Sequence, residues 1–383
     1  MFLPRAFTLH IRLTRDCNAH CNYCSSAGKS EGRMSTADFK KSVQWISEEL
    51  FPKLRVGSKH HLTVEYLGGE VLLIPQNELE ENVSFARETF GPLVHTLRDG
   101  AQSNLIGSKR RTEHLFELFQ GHVGTSWDPI TQQRHIHGNH QLYKAMLDAT
   151  LDRYDKQHDF RPGRVVVVDE QTAPHMAQMT TDAIEQGYDL VFRPVFQGGS
   201  EDVSKASLNN LITYYAQAYQ AWVSHGAKHH IEPFHSLFNK RLNERKKDFG
   251  PLAVGLFQQC PFQSDCAFKS LSLDPDGELY VCQEMADAKN YSLGNAITQE
   301  FNTHLWERLA QRKLKLDKSC VGCTWKRSCN GGCMNEAIEH HGDPFAKTEL
   351  CSLWTSLFIK IDEDINHLLE RQKTQEEYQD ETL

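Results

Sequence analysis

Cys17-Asn-Ala-His-Cys-Asn-Tyr-Cys24 is the stretch of this 383-residue sequence that says most about its fold. Three thiolates in a loop this short can hold three corners of a four-iron, four-sulfur cluster. Electron-transfer clusters use four cysteines, so a trio without a nearby fourth indicates an iron left open to bind another ligand. With eleven cysteines in the chain, such a trio arises by chance in roughly one sequence in a hundred. A zinc site or a group of buried thiols is the alternative.

This spacing resembles the signature of the radical S-adenosylmethionine (radical SAM) enzymes. In that family the amino and carboxylate groups of SAM chelate the open iron, and an electron from the cluster cleaves SAM. The resulting 5′-deoxyadenosyl radical takes a hydrogen atom from an unactivated C–H bond. The resemblance implies that Cys17, Cys21 and Cys24 ligate a SAM-binding [4Fe-4S] cluster and that Tyr23 packs near the adenine.

Composition places the chain among ordinary globular proteins. Hydrophobic residues make up 39% and charged residues 24%, and no run approaches the roughly 18 apolar residues of a membrane span. The N-terminal residues lack the pattern of a signal peptide. We therefore expect a cytoplasmic protein without a membrane segment, in which clustered cysteines are metal ligands and not disulfides. The net charge of −8 argues against nucleic-acid binding, which requires a basic surface.

Residues 7 to about 235 alternate between strand and helix patterns. Strands are predicted at 7–14, 61–67, 100–104, 122–126, 164–169 and 189–195, with an edge strand at 229–233. A helix is predicted at 35–50, where Ser35 can cap its start and Pro52 ends it. About six βα units in succession indicate an α/β fold with a parallel sheet and right-handed crossovers. A complete barrel has eight units, and six resemble the partial (β/α)6 TIM-like barrel of radical SAM enzymes.

Two segments after early strands resemble SAM-binding positions of the family. Gly68-Gly69-Glu70 is similar to the Gly-Gly-Glu-Pro motif, whose backbone hydrogen-bonds the SAM amino group, although Val71 replaces the proline. Gln102 opens a Gln-Ser-Asn segment that is similar to the Gln-Thr-Asn of related enzymes. An ordinary strand-to-helix turn is the alternative interpretation of the glycine pair.

Later segments supply further expected SAM contacts. Ser126 and Asp128 lie in a segment that resembles Ser-x-Asp-Gly, whose serine contacts the ribose or carboxylate of SAM. Arg134 matches the arginine that pairs with the SAM carboxylate. Phe196 matches the apolar residue that covers the adenine, and a buried core phenylalanine is the alternative there.

The other eight cysteines all lie in the last third of the chain. They are Cys260, Cys266, Cys282, Cys320, Cys323, Cys329, Cys333 and Cys351. The dense run from Cys320 to Cys333 resembles the SPASM domain, a C-terminal extension of radical SAM enzymes that act on peptides and proteins.

The SPASM resemblance implies two auxiliary [4Fe-4S] clusters, which makes three clusters in all. Auxiliary cluster I would use Cys260, Cys266, Cys282 and Cys333. Auxiliary cluster II would use Cys320, Cys323, Cys329 and Cys351. Full ligation favours electron transfer over substrate binding at these clusters. Structural zinc is the alternative, because sulfur-rich tetrahedral sites suit either metal.

We divide the sequence into three parts. Residues 1–240 form the predicted barrel, 241–357 a bridging region with the SPASM domain, and 358–383 an acidic C-terminal helix and tail. A turn at 274–277 is predicted to join two strands of a hairpin at 271–281. The acidic residues of the last part, which include Asp362, are expected on a solvated helix face.

The family members that carry a SPASM domain narrow the expected reaction. They include sulfatase-maturing enzymes, thioether-forming maturases and cyclophane formers of the darobactin and Xye types. Sulfatase-maturing enzymes carry an aspartate base directly after the third auxiliary cysteine, whereas this sequence has Gln283, which cannot usefully accept a proton. Because only 16 residues precede Cys17, we expect this protein to lack the N-terminal peptide-recognition domain that many thioether-forming enzymes carry.

We therefore expect an oxidoreductase that cross-links a ribosomal precursor peptide. It would abstract a β-hydrogen and let the carbon radical add to a neighbouring aromatic ring, with one electron and one proton lost on rearomatisation. The candidate bases are Glu284, Asp128 and Glu65, although Glu284 would point elsewhere if Cys282 ended a strand. Sulfatase maturation, thioether formation and a non-enzymatic iron–sulfur electron carrier remain alternatives.

The expected partners follow from this chemistry. They are the precursor peptide, a flavodoxin- or ferredoxin-type reductant and, as an option, a separate leader-recognition protein.

Two groups of histidines stand out among the twenty in the chain. They are His135, His137 and His140, and His229, His230 and His235. Metal spacing is conceivable for either group, but no carboxylate pairs with them in a recognised motif. Surface or loop histidines are therefore the expected interpretation.

Overall fold

The computed structural model describes most of the chain. The described residues are 5–26, 32–158, 161–195, 204–246, 260, 262 and 265–380. Their strands are β1 (Arg5–Arg12), β2 (His20–Cys21), β3 (His60–Leu67), β4 (Thr96–Ser103), β5 (Val123–Ser126), β6 (Arg134–His135), β7 (Arg164–Val168), β8 (Leu190–Pro194), β9 (Ile231–Glu232), β10 (Ser270–Leu273), β11 (Glu278–Tyr280), β12 (Gly294–Asn295) and β13 (Glu300–Phe301).

The helices alternate with these strands in the first half of the chain and dominate the rest. They are α1 (Thr36–Trp45), α2 (Phe51–Leu54), α3 (Gln76–Phe90), α4 (Lys109–Leu118), α5 (His140–His158), α6 (Met176–Gln186), α7 (Leu208–Ser224), α8 (Phe234–Lys246), α9 (Cys266–Lys269), α10 (Gln283–Asp287), α11 (Thr303–Ala310), α12 (Lys326–Cys329), α13 (Met334–His341) and α14 (Cys351–Asp380). None of these described helices is long and apolar enough to cross a bilayer. Phe196, a predicted adenine contact, lies outside the described residues.

Contacts divide the chain into two compact units. The first comprises Met1–Thr172, Gly187–Lys205 and Asp265–Lys315, and the second comprises Ala173–Gln186, Ala206–Ser264 and Leu316–Leu383. The division predicted from the sequence, at 240 and 357, stays a prediction.

The first unit is built on one mixed sheet. Its strands are ordered β13-β12-β11-β10-β1-β3-β4-β5-β7-β8. The run from β1 to β8 in this order is parallel throughout, which confirms the six-stranded parallel arrangement predicted from the βα alternation. The predicted hairpin joins the same sheet, because β10 lies parallel to β1 and β11 returns antiparallel. It thereby covers a strand edge that would otherwise expose unpaired backbone groups.

Successive side chains of the parallel strands point to opposite faces of the sheet. Phe7, Leu9 and Ile11 of β1 are fully buried, whereas His10 faces the other way. Residues that lie directly opposite each other on neighbouring strands point to the same face of the sheet. The strand register therefore identifies which residues of the other strands share the face of His10. We call it the polar face, and its members include His10, Glu65, Gln102, Ser126 and Arg193.

The first helical segment, which begins with α1, starts as predicted and continues past its predicted end. Ser35 caps α1, and its hydroxyl accepts a hydrogen bond from the Asp38 N–H at 3.0 Å. The expectation that Pro52 ends the helix is wrong. A π-helical turn at Ile46–Leu50 leads into α2, and Arg55, the residue after α2, adopts the left-handed conformation. Pro52 lies in the first turn of α2, where its missing N–H is not needed.

The second unit is helical around an aromatic core. Tyr215, Tyr219 and Trp222 of α7 are fully buried. The ring of Tyr215 lies 5.8 Å from that of Trp354, and the ring of Tyr219 lies 5.7 Å from that of Phe234. These edge-to-face contacts bind α7 to α14 and to the start of α8.

Asp362 on α14 does not lie on a solvated helix face, which corrects the expectation from charge pattern. Its carboxylate accepts hydrogen bonds from Arg241 at 2.8 and 2.7 Å and from Trp325 Nε1 at 2.9 Å. Burial by itself would raise the pKa of Asp362, but these hydrogen bonds outweigh it and hold the pKa below its usual value. The partners are distant in sequence, so a local charge pattern cannot reveal them.

Four charged side chains are buried together in the first unit. Arg12 Nη1 lies 3.2 Å from Asp274 Oδ1 and 2.6 Å from Asp287 Oδ1, and Arg15 pairs with both carboxylates. Each of the four side chains is at most 7% exposed. Two guanidinium groups and two carboxylates cancel in charge, which makes their burial tolerable. We call this group the buried ion network.

The buried ion network connects segments that are far apart in sequence. Arg12 ends β1, whereas Asp274 directly follows β10 and Asp287 ends α10. Asp287 also accepts hydrogen bonds from the hydroxyls of Ser25 and Ser26, at 2.5 and 2.7 Å. The residues just after Cys24 are thereby attached to the segment that begins at Cys282.

Replacing Asp287 with alanine is expected to destabilise the protein by roughly 3–5 kcal/mol, because it leaves two buried guanidinium groups with one carboxylate. Chemical or thermal unfolding measures the loss. Asp148→Ala is the control, since it removes an exposed pair with Lys144 at 2.7 Å that contributes less than about 1 kcal/mol. Equal losses in the two variants would contradict the role of the buried ion network.

Candidate functional site

The cysteine trio lies in the loop after β1, at the carboxyl edge of the parallel strands, where sheets of this type bind ligands. A short strand pairing holds the loop, with Cys21 of β2 opposite Arg134 of β6. The Cys24 N–H donates to the Cys21 carbonyl at 2.9 Å. The three thiols lie close enough to interact electrostatically with one another. The structure thus brings Cys17, Cys21 and Cys24 together.

The sulfur of Cys17 lies in a setting that fits a cluster ligand. The backbone N–H of Ala19 and the side-chain amide of Asn104 point at it from 3.4 and 3.6 Å. Hydrogen bonds of this kind stabilise cluster-bound thiolates and help to set cluster potentials. Burial raises the pKa of the Cys17 thiol to about 12, so metal binding there has to release a proton.

Asn104 is held in place by Glu70 and by Asn18 of the cysteine loop. Its N–H donates to Glu70 Oε2 at 2.6 Å, and its side-chain amide donates to Asn18 at 2.7 Å. Glu70 is fully buried and also accepts a hydrogen bond from the Ser103 hydroxyl at 2.7 Å. Burial raises the pKa of Glu70 despite these bonds. The Glu70 carboxylate therefore positions Asn104 beside Cys17. Sequence analysis named the Gln-Ser-Asn segment but missed this contact.

The glycine pair allows a close approach of two backbone segments. A Cβ on Gly69 would collide with the backbone of Arg15 and Asp16, and one on Gly68 would collide with the Thr14 carbonyl. Gly68 also has φ of +146°, which L-residues rarely adopt. The Gly69 N–H donates to the Thr14 carbonyl at 2.9 Å. The end of β3 thereby lies against the residues that lead into Cys17.

Arg134 and Tyr23 are two predicted SAM contacts that the structure brings together. Arg134 Nη1 lies 3.4 Å from the Tyr23 hydroxyl, and its guanidinium carbon lies 5.3 Å from the ring centre of Tyr143. The Nε of Arg134 is buried and has no hydrogen-bond partner among the described residues. Such a donor is costly unless a ligand satisfies it. A carboxylate such as that of SAM would accept a hydrogen bond from this Nε.

Gln102, Ser126 and Asp128 lie along the neighbouring strand ends. Gln102 Nε2 is 3.3 Å from the Ser126 hydroxyl, so these two predicted contacts adjoin on the polar face. Both carboxylate oxygens of Asp128 accept hydrogen bonds from Thr131, one from its N–H at 2.9 Å and one from its hydroxyl. Asp128 therefore closes the turn after β5.

Glu284, another candidate base, interacts with residues of the polar face. Arg193 Nη1 lies 3.2 Å from Glu284 Oε1, and His10 interacts electrostatically with both. The condition under which Glu284 would point elsewhere is not met. Cys282 precedes helix α10, which begins at Gln283, so strand alternation does not set the direction of Glu284.

Burial shifts the pKa values of two titratable side chains on the polar face, Glu65 and His10, in the direction that favours the uncharged form. Burial raises the pKa of Glu65 to about 7, and Asp99 acts in the same sense. Burial lowers the pKa of His10 to about 4. The Nδ1 of His10 is buried without a hydrogen-bond partner among the described residues. Sequence analysis missed His10, although its polar position within an alternating strand was a usable signal.

The four cysteines predicted for auxiliary cluster II lie near one another in the second unit. Cys320 and Cys329 each interact electrostatically with Cys351, and Cys320 also interacts with Cys323. Burial raises the pKa of the Cys329 thiol to about 12. Four sulfur ligands fit an iron–sulfur cluster, and they also suit zinc.

The cysteines predicted for auxiliary cluster I divide between the units. Cys266 and Cys282 lie in the first unit, Cys260 and Cys333 in the second. Within the first unit the Ser270 hydroxyl bonds to the carbonyls of Cys266 and Val281, at 3.3 and 2.7 Å. This places Cys266 and Cys282 at the same end of the β10–β11 hairpin. Their ligation of a common cluster stays a prediction.

Comparison with solved structures shows which fold this is. No protein-family model and no curated protein matches the chain. The chain is similar to native anSMEcpe with bound AdoMet, with a TM-score of 0.72 and 17% identity over 94% of this chain and 99% of that one. The same protein with AdoMet and the Kp18Cys peptide gives 0.74 and 18% over 96% and 99%.

A second similar structure is SuiB from Streptococcus suis. It gives a TM-score of 0.60 and 13% identity over 91% of this chain and 78% of that one. At these identities the likeness establishes the fold. The chain shares the α/β fold of these two structures and has a cysteine-rich C-terminal region, as the sequence predicted.

If Cys17, Cys21 and Cys24 hold a SAM-binding cluster, replacing Asn104 with alanine is expected to slow the reductive cleavage of SAM by roughly 10- to 100-fold, since a hydrogen bond to a charged group contributes about 1.5–3 kcal/mol. Release of 5′-deoxyadenosine with dithionite and SAM measures the rate. Asn22→Ala is the matched control, because Asn22 lies in the cysteine loop but its side chain contacts His135 at 3.3 Å and makes no hydrogen bond to a sulfur among the described residues. Similar rates for the two variants would refute the role given to Asn104.

Proposed function

We propose that the protein is a radical SAM enzyme that cross-links a ribosomal precursor peptide, joining a side-chain β-carbon to an aromatic ring. The observation that carries this proposal is the position of the cysteine trio. Cys17, Cys21 and Cys24 converge at the carboxyl edge of the sheet, with an unpartnered Arg134 donor beside them.

The peptide substrate is supported by the solved structures that share the fold. anSMEcpe was solved with AdoMet and the Kp18Cys or Cp18Cys peptide, and SuiB was solved with the precursor peptide SuiA. Both have folds similar to this chain at low sequence identity. We infer that a peptide is also the substrate here and that its reacting residues lie over the polar face.

We infer a set of residues for each cofactor. The trio would hold the SAM-binding cluster, with Tyr23 and Arg134 at the adenine and carboxylate of SAM. When bound, the cluster and SAM supply the oxidant that removes a hydrogen atom from an unactivated C–H bond. Two auxiliary clusters on the other eight cysteines would accept the electron that leaves on rearomatisation. Such clusters require a reducing compartment, so we place the protein in the cytoplasm with a flavodoxin- or ferredoxin-type reductant.

The proton released on rearomatisation needs an acceptor near the peptide. Among the candidate bases, Asp128 has both oxygens engaged by Thr131, and Glu65 has a pKa raised to about 7. Glu284 forms an ion pair with Arg193, and its side chain is 15% exposed. We assign the base role to Glu284, because it combines a carboxylate in an ion pair with access from the polar face.

Sulfatase maturation is the second candidate, favoured by the likeness to anSMEcpe, a sulfatase-maturating enzyme. Gln283 weighs against it, because the aspartate base expected there is missing. The thioether-forming maturases remain a third possibility. In the cross-linking and thioether-forming reactions, a separate leader-recognition protein is an optional partner that would deliver the peptide.

Co-expression with the precursor peptide tests the proposed reaction. We expect the peptide to lose two hydrogens for each cross-link, about 2 Da by mass spectrometry, with fragmentation blocked between the joined residues. Each turnover removes one hydrogen atom, one electron and one proton, which accounts for this mass. The control is Cys17→Ala, Cys21→Ala, Cys24→Ala, which should leave the peptide unmodified. A serine or cysteine converted to formylglycine in a sulfatase peptide would overturn the proposal.

Replacing Glu284 with glutamine is expected to separate SAM cleavage from cross-linking. Glutamine retains the size and a hydrogen bond to Arg193 but cannot accept the proton. Release of 5′-deoxyadenosine should stay within about twofold, while cross-linked peptide falls roughly 100-fold or more, the usual contribution of a general base. Asp128→Asn is the control and should retain cross-linking. If Glu65→Gln abolishes cross-linking and Glu284→Gln does not, the assignment to Glu284 is wrong.

A further inference from the structure

Three side chains converge in the second unit at the junction of β9 and α8. They are His230, Glu232 and His235, and one ligand atom from each lies within 4.8 Å of the others. His230 and Glu232 are two residues apart, and the turn into α8 returns His235 to the same point. The sequence singled out both histidines but not the carboxylate between them.

The distances in this cluster suit a shared metal ion. His230 Nε2 lies 3.0 Å from Glu232 Oε1, and His235 Nδ1 lies 3.9 Å from the same oxygen. Zinc binds histidine nitrogen and carboxylate oxygen at about 2.0–2.2 Å in a tetrahedral arrangement, which separates its ligand atoms by roughly 3.3–3.6 Å. The two separations given above lie within a few tenths of an ångström of this range, so small side-chain rotations would let the three residues share one ion. The two rings lie 5.0 Å apart and nearly perpendicular, so they converge without stacking on each other.

The carboxylate of Glu232 provides an independent reason for a ligand. Glu232 is 1% exposed, and its Oε2 has no hydrogen-bond partner among the described residues. Its Oε1 accepts a hydrogen bond from the Ser236 hydroxyl at 2.6 Å. Leaving a buried carboxylate oxygen unsatisfied is costly. A cation bound by both oxygens of the carboxylate would satisfy Oε2, whereas ion pairing of Oε1 with the histidines does not.

We propose that His230, Glu232 and His235 form a binding site for a divalent transition-metal ion, with Zn²⁺ as its occupant. Two imidazoles and one carboxylate are a donor set that zinc accepts, with water in the fourth position. The side chain of His230 is 41% exposed, which gives solvent access to that position. Ser236 orients the carboxylate, as partners of metal ligands commonly do.

The metal site would stabilise the start of α8. Trp222 of α7 donates a hydrogen bond from Nε1 to the His229 carbonyl at 2.8 Å, so the residue before the site is already attached to α7. A bound ion would attach the next turn of chain to α8. The site uses no cysteine and does not depend on the proposed peptide chemistry.

The experiment uses the cluster-loaded, full-length protein, stripped of loosely bound metal and then given Zn²⁺ alone. Zinc per chain is measured by mass spectrometry, and zinc K-edge X-ray absorption reports the ligands without interference from iron. We expect one zinc with a nitrogen and oxygen shell that includes imidazole scattering. Because the ion binds the folded protein, we also expect the unfolding temperature to rise with Zn²⁺ concentration.

The double variant His230→Ala, His235→Ala should lose this zinc and the thermal shift. His229→Ala is the matched control, since it removes the neighbouring imidazole and should retain both. Glu232→Gln keeps the side-chain shape and should bind zinc at least 10-fold more weakly. A zinc ion bound through sulfur, equal zinc in the wild type and the double variant, or no zinc in the folded wild type would overturn the proposal.

Discussion

The pairing of Arg12 and Arg15 with Asp274 and Asp287 is the interaction on which the first unit depends. Isolated charges are costly to bury, and these four are buried only because they meet. Their meeting requires that the end of β1 and the segment from β10 to α10 lie side by side. Asp287 also holds the residues that follow Cys24. Asp287 thereby links the loop of the cysteine trio to the segment that carries Cys282.

A small set of contacts also positions the cysteine trio. Glu70 holds Asn104, and Asn104 directs an amide at the Cys17 sulfur. The two glycines before Glu70 let β3 approach the backbone of the cysteine loop. The motif residues that resemble SAM contacts thus have structural tasks of their own, because they orient the loop before any ligand binds. Such preorganisation is what a metal site needs from its surroundings.

The sequence was a good guide to local order and a poor guide to distant partners. Strand alternation predicted the six parallel strands, and Ser35 correctly marked the start of α1. The helix end predicted from Pro52 was wrong, because the chain continues through a π-helical turn into α2, which contains this proline. The solvent exposure predicted for Asp362 was wrong, because its hydrogen-bond partners, Arg241 and Trp325, are far away in the sequence. Spacing rules describe neighbours along one element and contain no information on which element packs against it.

The sequence by itself determined the cysteine trio, its spacing and the α/β order, since these depend on residue type and short-range periodicity. Only the tertiary structure decided that Gln102 adjoins Ser126 and that Arg134 lies opposite Cys21. It also decided that Arg193 faces Glu284 and that Glu232 lies between two histidines. Chain reversal and strand register create these neighbours. A hydrogen bond or an ion pair depends on distance in space, which the order of residues does not specify.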